Sequence, residues 1–374
     1  AALALVQLDL DPDTLVADLT RADRSLVAIA RALSAEAPIL VLDEPTASLP
    51  AADSQRLFDV LKGLRESGCG MIYVSHRLDE VFAISDTVTV LRDGRLIHTG
   101  AIKDKTPQDL VIDIVGSKPR TYQARFDAAE RPVVLSGERL LAGPAGPVTF
   151  EVHAGEVVAM VGLTGAGHLQ VGRAIAGAFP VHGGALTLGG EPYAPKSPAQ
   201  AVDRGVGFVT SNRMEEGMAP EMTVRENFLA NLRPRALGLL AWNSPKKDAA
   251  LGQQLTDTYG VLPNDPEVAI ATLSGGNQQK VMVGRWLSAD RRVIVLEEPT
   301  AGVDVGAKAD IYRLLEDSLA VGLGVVLVSS DFEEVASVAH RALVFVQGRV
   351  TEQLAGDQLT VGSLDGSDLT IAGN

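Results

Sequence analysis

The chain has 374 residues, 46% of them hydrophobic and 21% charged, with a formal net charge of −14. That length holds two domains with cores of their own, and the balance is that of a globular protein rather than a disordered one. The acidic excess argues against nucleic acid, whose binders carry a basic face that neutralises phosphates. The apolar runs fall far short of the roughly 18–20 residues that cross a bilayer. One cysteine, Cys69, fits a reducing compartment without a disulfide framework and reads as a small buried residue.

In chain order, Leu19-Thr20-Arg21-Ala22-Asp23 comes first. Residues 39–42 read as an apolar strand that ends on Asp43-Glu44-Pro45-Thr46, and residues 71–74 as the next strand, leading to Ser75 and His76. A polar, charge-mixed stretch at 116–131 reads as a linker. Val157–Val161 is a third strand, followed by Gly162-Leu163-Thr164-Gly165-Ala166-Gly167-His168-Leu169 and a helical run. Further on come Leu273-Ser274-Gly275-Gly276-Asn277-Gln278-Gln279-Lys280, a strand at 293–296 ending on Glu297-Glu298-Pro299-Thr300, and a strand at 325–328 before Ser329-Ser330. Short β-branched runs alternating with helical patterns predict an α/β fold with a largely parallel sheet, whose ligands sit beyond the carboxyl ends of the strands.

Part of this is a duplication. Asp43 and Glu297 are 254 positions apart, as are His76 and Ser330, Gly94 and Gly348, and Leu19 and Leu273. The second copy has a front portion that finds no counterpart before Ala1. We therefore expect a piece of a longer protein, with residues 1–115 as the rear of the first domain, 132–365 as a full second domain and 366–374 as a tail.

The frame at 162–167 is that of a phosphate loop. Glycines let backbone N–H groups curl around phosphate oxygens, helped by the positive end of the following helix. Gly162, Gly165, Ala166, Gly167 and His168 are the candidate contacts. Two positions depart from the pattern. His168 stands where a lysine would reach the β- and γ-phosphates, and Leu169 where a hydroxyl would ligate Mg²⁺. No aromatic residue lies between Pro132 and Thr149 to stack on adenine, and Phe150 fits a strand better.

The run Leu273 to Lys280, ahead of an acidic strand, resembles the signature loop of ABC ATPases. A serine hydroxyl and bare glycine amides at a helix start can approach a γ-phosphate. Ser274, Gly275, Gly276, Asn277 and Gln278 are the candidates. The resemblance implies the P-loop NTPase ABC ATPase fold, one partial and one complete nucleotide-binding domain, with ATP and Mg²⁺ as ligands. In each copy the first acid after the strand suits Mg²⁺ and the second suits the attacking water. Asp43 is the candidate metal residue and Glu44 the catalytic one, while Glu297 is longer than the usual Asp. His76 resembles the family's switch histidine, a place taken by Ser330 in copy two.

In this family, domains pair head to tail, each ATP lying between one domain's phosphate loop and the other's signature. His168, Leu169, Glu297, Ser330, the eroded signature at Arg21 and Ala22, and Pro50 fall on one site. Asp43, Glu44, His76, Ser274–Gly276 and Asp304 fall on the other. We expect one working and one degenerate site, and negligible hydrolysis by the chain as given.

Over its whole length the chain is similar to the fused two-domain ATPases of bacterial monosaccharide importers. Glu298-Pro299-Thr300-Ala301-Gly302-Val303-Asp304 and Met222-Thr223-Val224-Arg225-Glu226-Asn227 carry this likeness. Residues 209–213 lack the two acids usual in that group. The resemblance implies integral membrane permease subunits, as a homodimer, a periplasmic or lipoprotein sugar-binding protein, and a peripheral place on the cytoplasmic face of the membrane. A nucleoside importer, an inactive truncated product and a soluble ABC ATPase acting on ribosomes or DNA are the alternatives. The last would bring a basic or helical linker and Lys/Arg clusters, which the sequence lacks.

Overall fold

The computed structural model describes all residues except 1–2, 4–5, 7, 9, 12, 35–38, 47–50, 76, 93, 116–125, 127–130, 232–243 and 366–374. The expected tail, most of the expected linker, Pro50 and His76 therefore lie outside the described residues, as do the side chains at 21 and 22. The chain divides into two compact units, residues 1–119 and 120–374.

Unit 1 runs α1 (Arg21–Ser34), β1 (Ile39–Asp43), α2 (Ala51–Glu66), β2 (Gly70–Val74), α3 (Leu78–Ile84), β3 (Thr87–Arg92), β4 (Arg95–Ala101) and α4 (Pro107–Val115). β1 and β2 pair in parallel, and β3 and β4 form an antiparallel pair. Leu26, Leu40, Leu42, Leu57 and Leu61 lead its core.

Unit 2 opens with β5 (Val133–Ala142), β6 (Ala145–His153), β7 (Val157–Val161), α5 (His168–Ile175), β8 (Gly183–Leu188) and β9 (Glu191–Tyr193). It continues with α6 (Pro198–Asp203), β10 (Val206–Val209), α7 (Val224–Leu229), α8 (Pro245–Thr258) and α9 (Gly275–Leu287). β11 (Val293–Glu297), α10 (Val305–Ala320), β12 (Gly324–Ser329), α11 (Phe332–Val338), β13 (Arg341–Val346), β14 (Arg349–Ala355) and α12 (Val361–Asp365) complete it. A six-stranded sheet has the order β10-β11-β12-β7-β13-β14, parallel except for β14, and an antiparallel sheet has the order β6-β5-β8-β9. Strands buried on both faces, such as β7 and β11, are continuous apolar runs because helices and the second sheet cover them. The cluster containing Ile294, Leu296, Val281 and Phe228 lies on one face of the six-stranded sheet, and the cluster containing Val293, Val295, Leu135 and Val171 on the other.

The duplication is visible in three dimensions. Leu40 pairs with Met71 and Ile294 with Val325, the same register 254 positions on. One difference follows from topology. In unit 2, β7 joins β12 to β13, and unit 1 has no counterpart of β7 among its described residues, so its strands stand as two separate pairs. Ile39, Val41, Ile72 and Val74 are accordingly exposed, whereas their counterparts Val293, Val295, Val326 and Val328 lie under β5, β6, β8 and α5.

Each unit also buries a glutamate behind its acidic strand, 1% exposed in both cases. Glu80 accepts from Thr46 Oγ1 (2.6 Å), Tyr73 Oη (2.8 Å) and Ser75 Oγ (3.0 Å). Glu334 accepts from Thr300 Oγ1 (2.6 Å), Tyr312 Oη and Ser329 Oγ. The threonine and serine are repeat-related, but the tyrosines are not. Tyr73 lies on β2, where the second copy has Leu327, and Tyr312 on α10, where the first has Phe58. A buried carboxylate needs its lone pairs satisfied, and either element can deliver the phenol.

Candidate nucleotide site

The phosphate loop forms as the glycines require. Gly165 and Gly167 have φ of 86° and 99°, the left-handed region that side chains disfavour. A Cβ on Gly162 would lie 2.6 Å from the Phe345 carbonyl oxygen, so this turn admits glycine alone. α5 then begins at His168 and leaves its first N–H groups without intrahelical partners, a ready seat for anionic oxygens. The His168 imidazole itself is 1% exposed, and neither ring nitrogen has a hydrogen-bond partner. Burial lowers its pKa to about 4, against a smaller opposing pull from Glu297. This residue offers a phosphate its backbone N–H and no positive side chain. Phe150 is buried in β6.

Glu297, at the end of β11, is 1% exposed and held by Arg173 of α5. Nε donates to Oε2 at 2.7 Å and Nη2 to Oε1 at 2.8 Å. Ser211 adds its hydroxyl at 2.6 Å and its N–H at 3.3 Å, both to Oε1. The bond to Glu297 holds the guanidinium pKa above its ordinary value. Nothing in the sequence pairs these residues, which are 124 positions apart, and sequence reasoning missed Arg173. The segment at 209–213, short of its usual acids, turns out to be a bridge. Thr210 donates to Glu216 (2.7 Å), Ser211 to Glu297, and Arg213 Nη1 to the Gly275 carbonyl (3.0 Å).

Glu298, the second acid, has a backbone φ of 44° and accepts from the Ser330 N–H at 2.7 Å, with burial pushing its carboxyl up. In unit 1, Asp43 and Glu44 are exposed at the end of β1, and Glu44 shares the φ of 44°. Two solvent-facing carboxylates past a strand fit a hydrated Mg²⁺; the enclosed, arginine-bound Glu297 does not.

The signature loop is firmly seated. Ser274 is the N-cap of α9 and its hydroxyl accepts from Asn277 Nδ2 at 2.9 Å. Asn277 Oδ1 in turn accepts from the Leu262 N–H (2.8 Å), and Gln278, buried, donates to the carbonyls of Leu273 (3.2 Å) and Ile270 (3.4 Å). Asp304 caps α10 by accepting from the Ala307 N–H at 2.9 Å. A Cβ on Gly276 would come within 2.6 Å of Ala307 Cβ. Asn277, Gln278 and Asp304 thus shape the loop, in which Ser274 is exposed, Gly275 half-buried and Gly276 buried.

A family model described as ABC transporter matches residues 145–301. A ribose/galactose/methyl galactoside import ATP-binding protein of Agrobacterium fabrum is 38% identical, over 96% of this chain and 72% of its own length. The ribose import ATP-binding protein RbsA of Hahella chejuensis is 36% identical, over 94% of this chain and 71% of its own. Its namesake in Geobacillus kaustophilus is 37% identical, over 94% and 71%. Among solved structures, a nucleotide-free ATP-binding cassette from an ABC transporter covers 64% of this chain and 98% of itself, with a TM-score of 0.54 at 21% identity, a likeness of fold. A glycine loop ahead of α5, a seated signature ahead of α9, acidic pairs past two repeat-related strands, and relatives at this identity converge: the chain belongs to the ABC transporter family, among its import ATP-binding proteins, whose ATPase cassettes bind nucleotide.

Proposed function

We propose that this chain is part of the ATP-binding subunit of a transporter that hydrolyses ATP to energise import of a monosaccharide of the ribose or galactose type. The observation that carries the reading is the seat of the signature loop, which leaves the Ser274 hydroxyl exposed at a helix start, ahead of glycine N–H groups that have no intrahelical partner. Such a loop caps a γ-phosphate held on another cassette surface. The relatives named for ribose and galactose import supply the cargo.

In this reading Glu44 orients the attacking water and His76 contacts the γ-phosphate. Asp43 would hold Mg²⁺, which supplies charge neutralisation at the phosphates when bound. Nucleotide binding closes the cassettes, closure is passed to membrane-embedded permease subunits, and hydrolysis resets them. A soluble binding protein delivers the sugar. Among the described residues no helix is long and apolar enough to cross a membrane, and the permease pair holds this subunit at the cytoplasmic face.

Reconstitution of the transporter with its permease and binding protein in liposomes tests this. ATP-dependent uptake of labelled ribose or galactose is the expected result. Uptake of a nucleoside instead, or of no solute, overturns the sugar assignment.

A further inference from the structure

Glu297 is the carboxylate that the sequence offers to a divalent cation in unit 2, and its oxygens are already engaged. Arg173 donates to both, at 2.7 and 2.8 Å, and Ser211 donates twice more to Oε1, at 2.6 and 3.3 Å. Oε1 thus takes three donors and Oε2 one, so both oxygens are engaged. With Glu297 only 1% exposed, no hydration shell reaches it. The partner position for a metal, Leu169, carries no oxygen.

Arg173 follows Leu169 by one helical turn and shares its face of α5. The guanidinium therefore enters from the side on which a metal-binding hydroxyl would have stood. It reaches on to Glu216 (3.2 and 3.4 Å) and Thr210 (3.5 Å). An ionised carboxylate with no cation beside it would repel a polyphosphate at the neighbouring loop; paired with Arg173, it does not.

From this arrangement we infer that unit 2 takes its nucleotide in the metal-free form, with Arg173 standing where a divalent cation would otherwise screen Glu297. The phosphates then rest on the backbone N–H groups of the loop and of the first turn of α5. This rests on reading residues 162–169 as the nucleotide loop, and adds to it the form of ligand held. A nucleotide bound in this way has no metal to polarise its γ-phosphate, so it is retained rather than turned over.

The test titrates the full chain with TNP-ATP, once in MgCl₂ and once in excess EDTA. The expected dissociation constants agree within about two-fold. Binding that is about tenfold tighter with Mg²⁺ overturns this inference alone, while no binding in either condition overturns the reading of the loop as well. Glu297→Gln preserves shape, has no metal to lose and frees positive charge on Arg173, so its affinity in MgCl₂ does not fall more than about two-fold below the parent's. A tenfold loss there would show a cation on Glu297 and sink the proposal. Arg173→Met exposes the loop to an unpaired carboxylate; binding in EDTA weakens by about tenfold and MgCl₂ recovers it. An unchanged EDTA affinity overturns the role of Arg173. Should Arg173→Met not fold, the Glu297→Gln titrations decide the question by themselves.

Discussion

Glu44 and Glu298, 254 positions apart, adopt the same left-handed backbone, φ 44° at each, and donate their amides to the carbonyls of Val74 (2.9 Å) and Val328 (2.8 Å). A non-glycine residue in that region costs on the order of 1 kcal/mol or more, and persists only where the surroundings impose it. Both copies therefore aim their second acid by the same turn, and only what surrounds the carboxylate differs.

Glu44→Gln in the assembled transporter is expected to lower ATP hydrolysis by about a hundredfold or more. Glu298, occupied by the Ser330 N–H, is expected to tolerate the same change with less than about a two-fold effect. Phosphate release by the two variants compares them directly. Equal losses would remove the assignment of the water-orienting role to unit 1.

Gly276→Ala would drive a methyl to within 2.6 Å of Ala307 Cβ, displacing α9 from α10 and the signature amides with it. We expect hydrolysis by the transporter to fall at least about tenfold. Gly63 of α2 is the control. Nothing lies within 4 Å of its added Cβ, so Gly63→Ala is expected to stabilise unit 1 by about 0.5–1 kcal/mol without changing turnover.

Glu334→Ala leaves the hydroxyls of Thr300, Tyr312 and Ser329 without their buried acceptor. At roughly 1 kcal/mol or more for each stranded group, unit 2 is expected to lose about 3 kcal/mol. Both tryptophans of the chain lie in unit 2, so urea unfolding followed by their fluorescence reads this loss. Glu80→Ala, which acts on unit 1, should leave that transition in place.

Acid is expected to weaken unit 2 through His168 and His340. Burial lowers both to about 4, against the modest upward pulls of Glu297 on the first and Glu156 on the second, with Arg131 lowering the second further. The unfolded chain then takes up these protons first. Stability is complete above the ordinary value near 6.5 and is lost as pH falls from there towards 4, by up to about 3 kcal/mol for each group. Urea midpoints measured down that range give the slope. His168→Met should halve it and, by removing two unpartnered ring nitrogens, add about 1 kcal/mol at neutral pH.

Much of this was legible in the sequence because it is local or repeated. The strands at 39–42, 157–161 and 293–296 are continuous apolar runs, and they form within a residue of where that pattern places them. The register of 254 positions carries over from motif to strand pairing without a shift. The buried glutamates were open to the same comparison, since Glu80 and Glu334 are repeat-related, but their tyrosines come from different elements and break the pattern. Arg173 was out of reach. A bidentate ion pair between a helix and a strand end has no period, and the extra methylene of Glu297 looked like a misplaced ligand until its partner was seen.

That same pair sets a direction on what substitution can do to unit 2. Shortening Glu297 to aspartate withdraws the carboxylate from Arg173 and strands a guanidinium whose other contacts are longer; replacing Arg173 first abandons a buried anion. Either single step costs several kcal/mol before any ligand-binding gain appears. Recovery of turnover thus calls for simultaneous change at 169, 173 and 297 besides a cation at 168, and the road back is steeper than the road in.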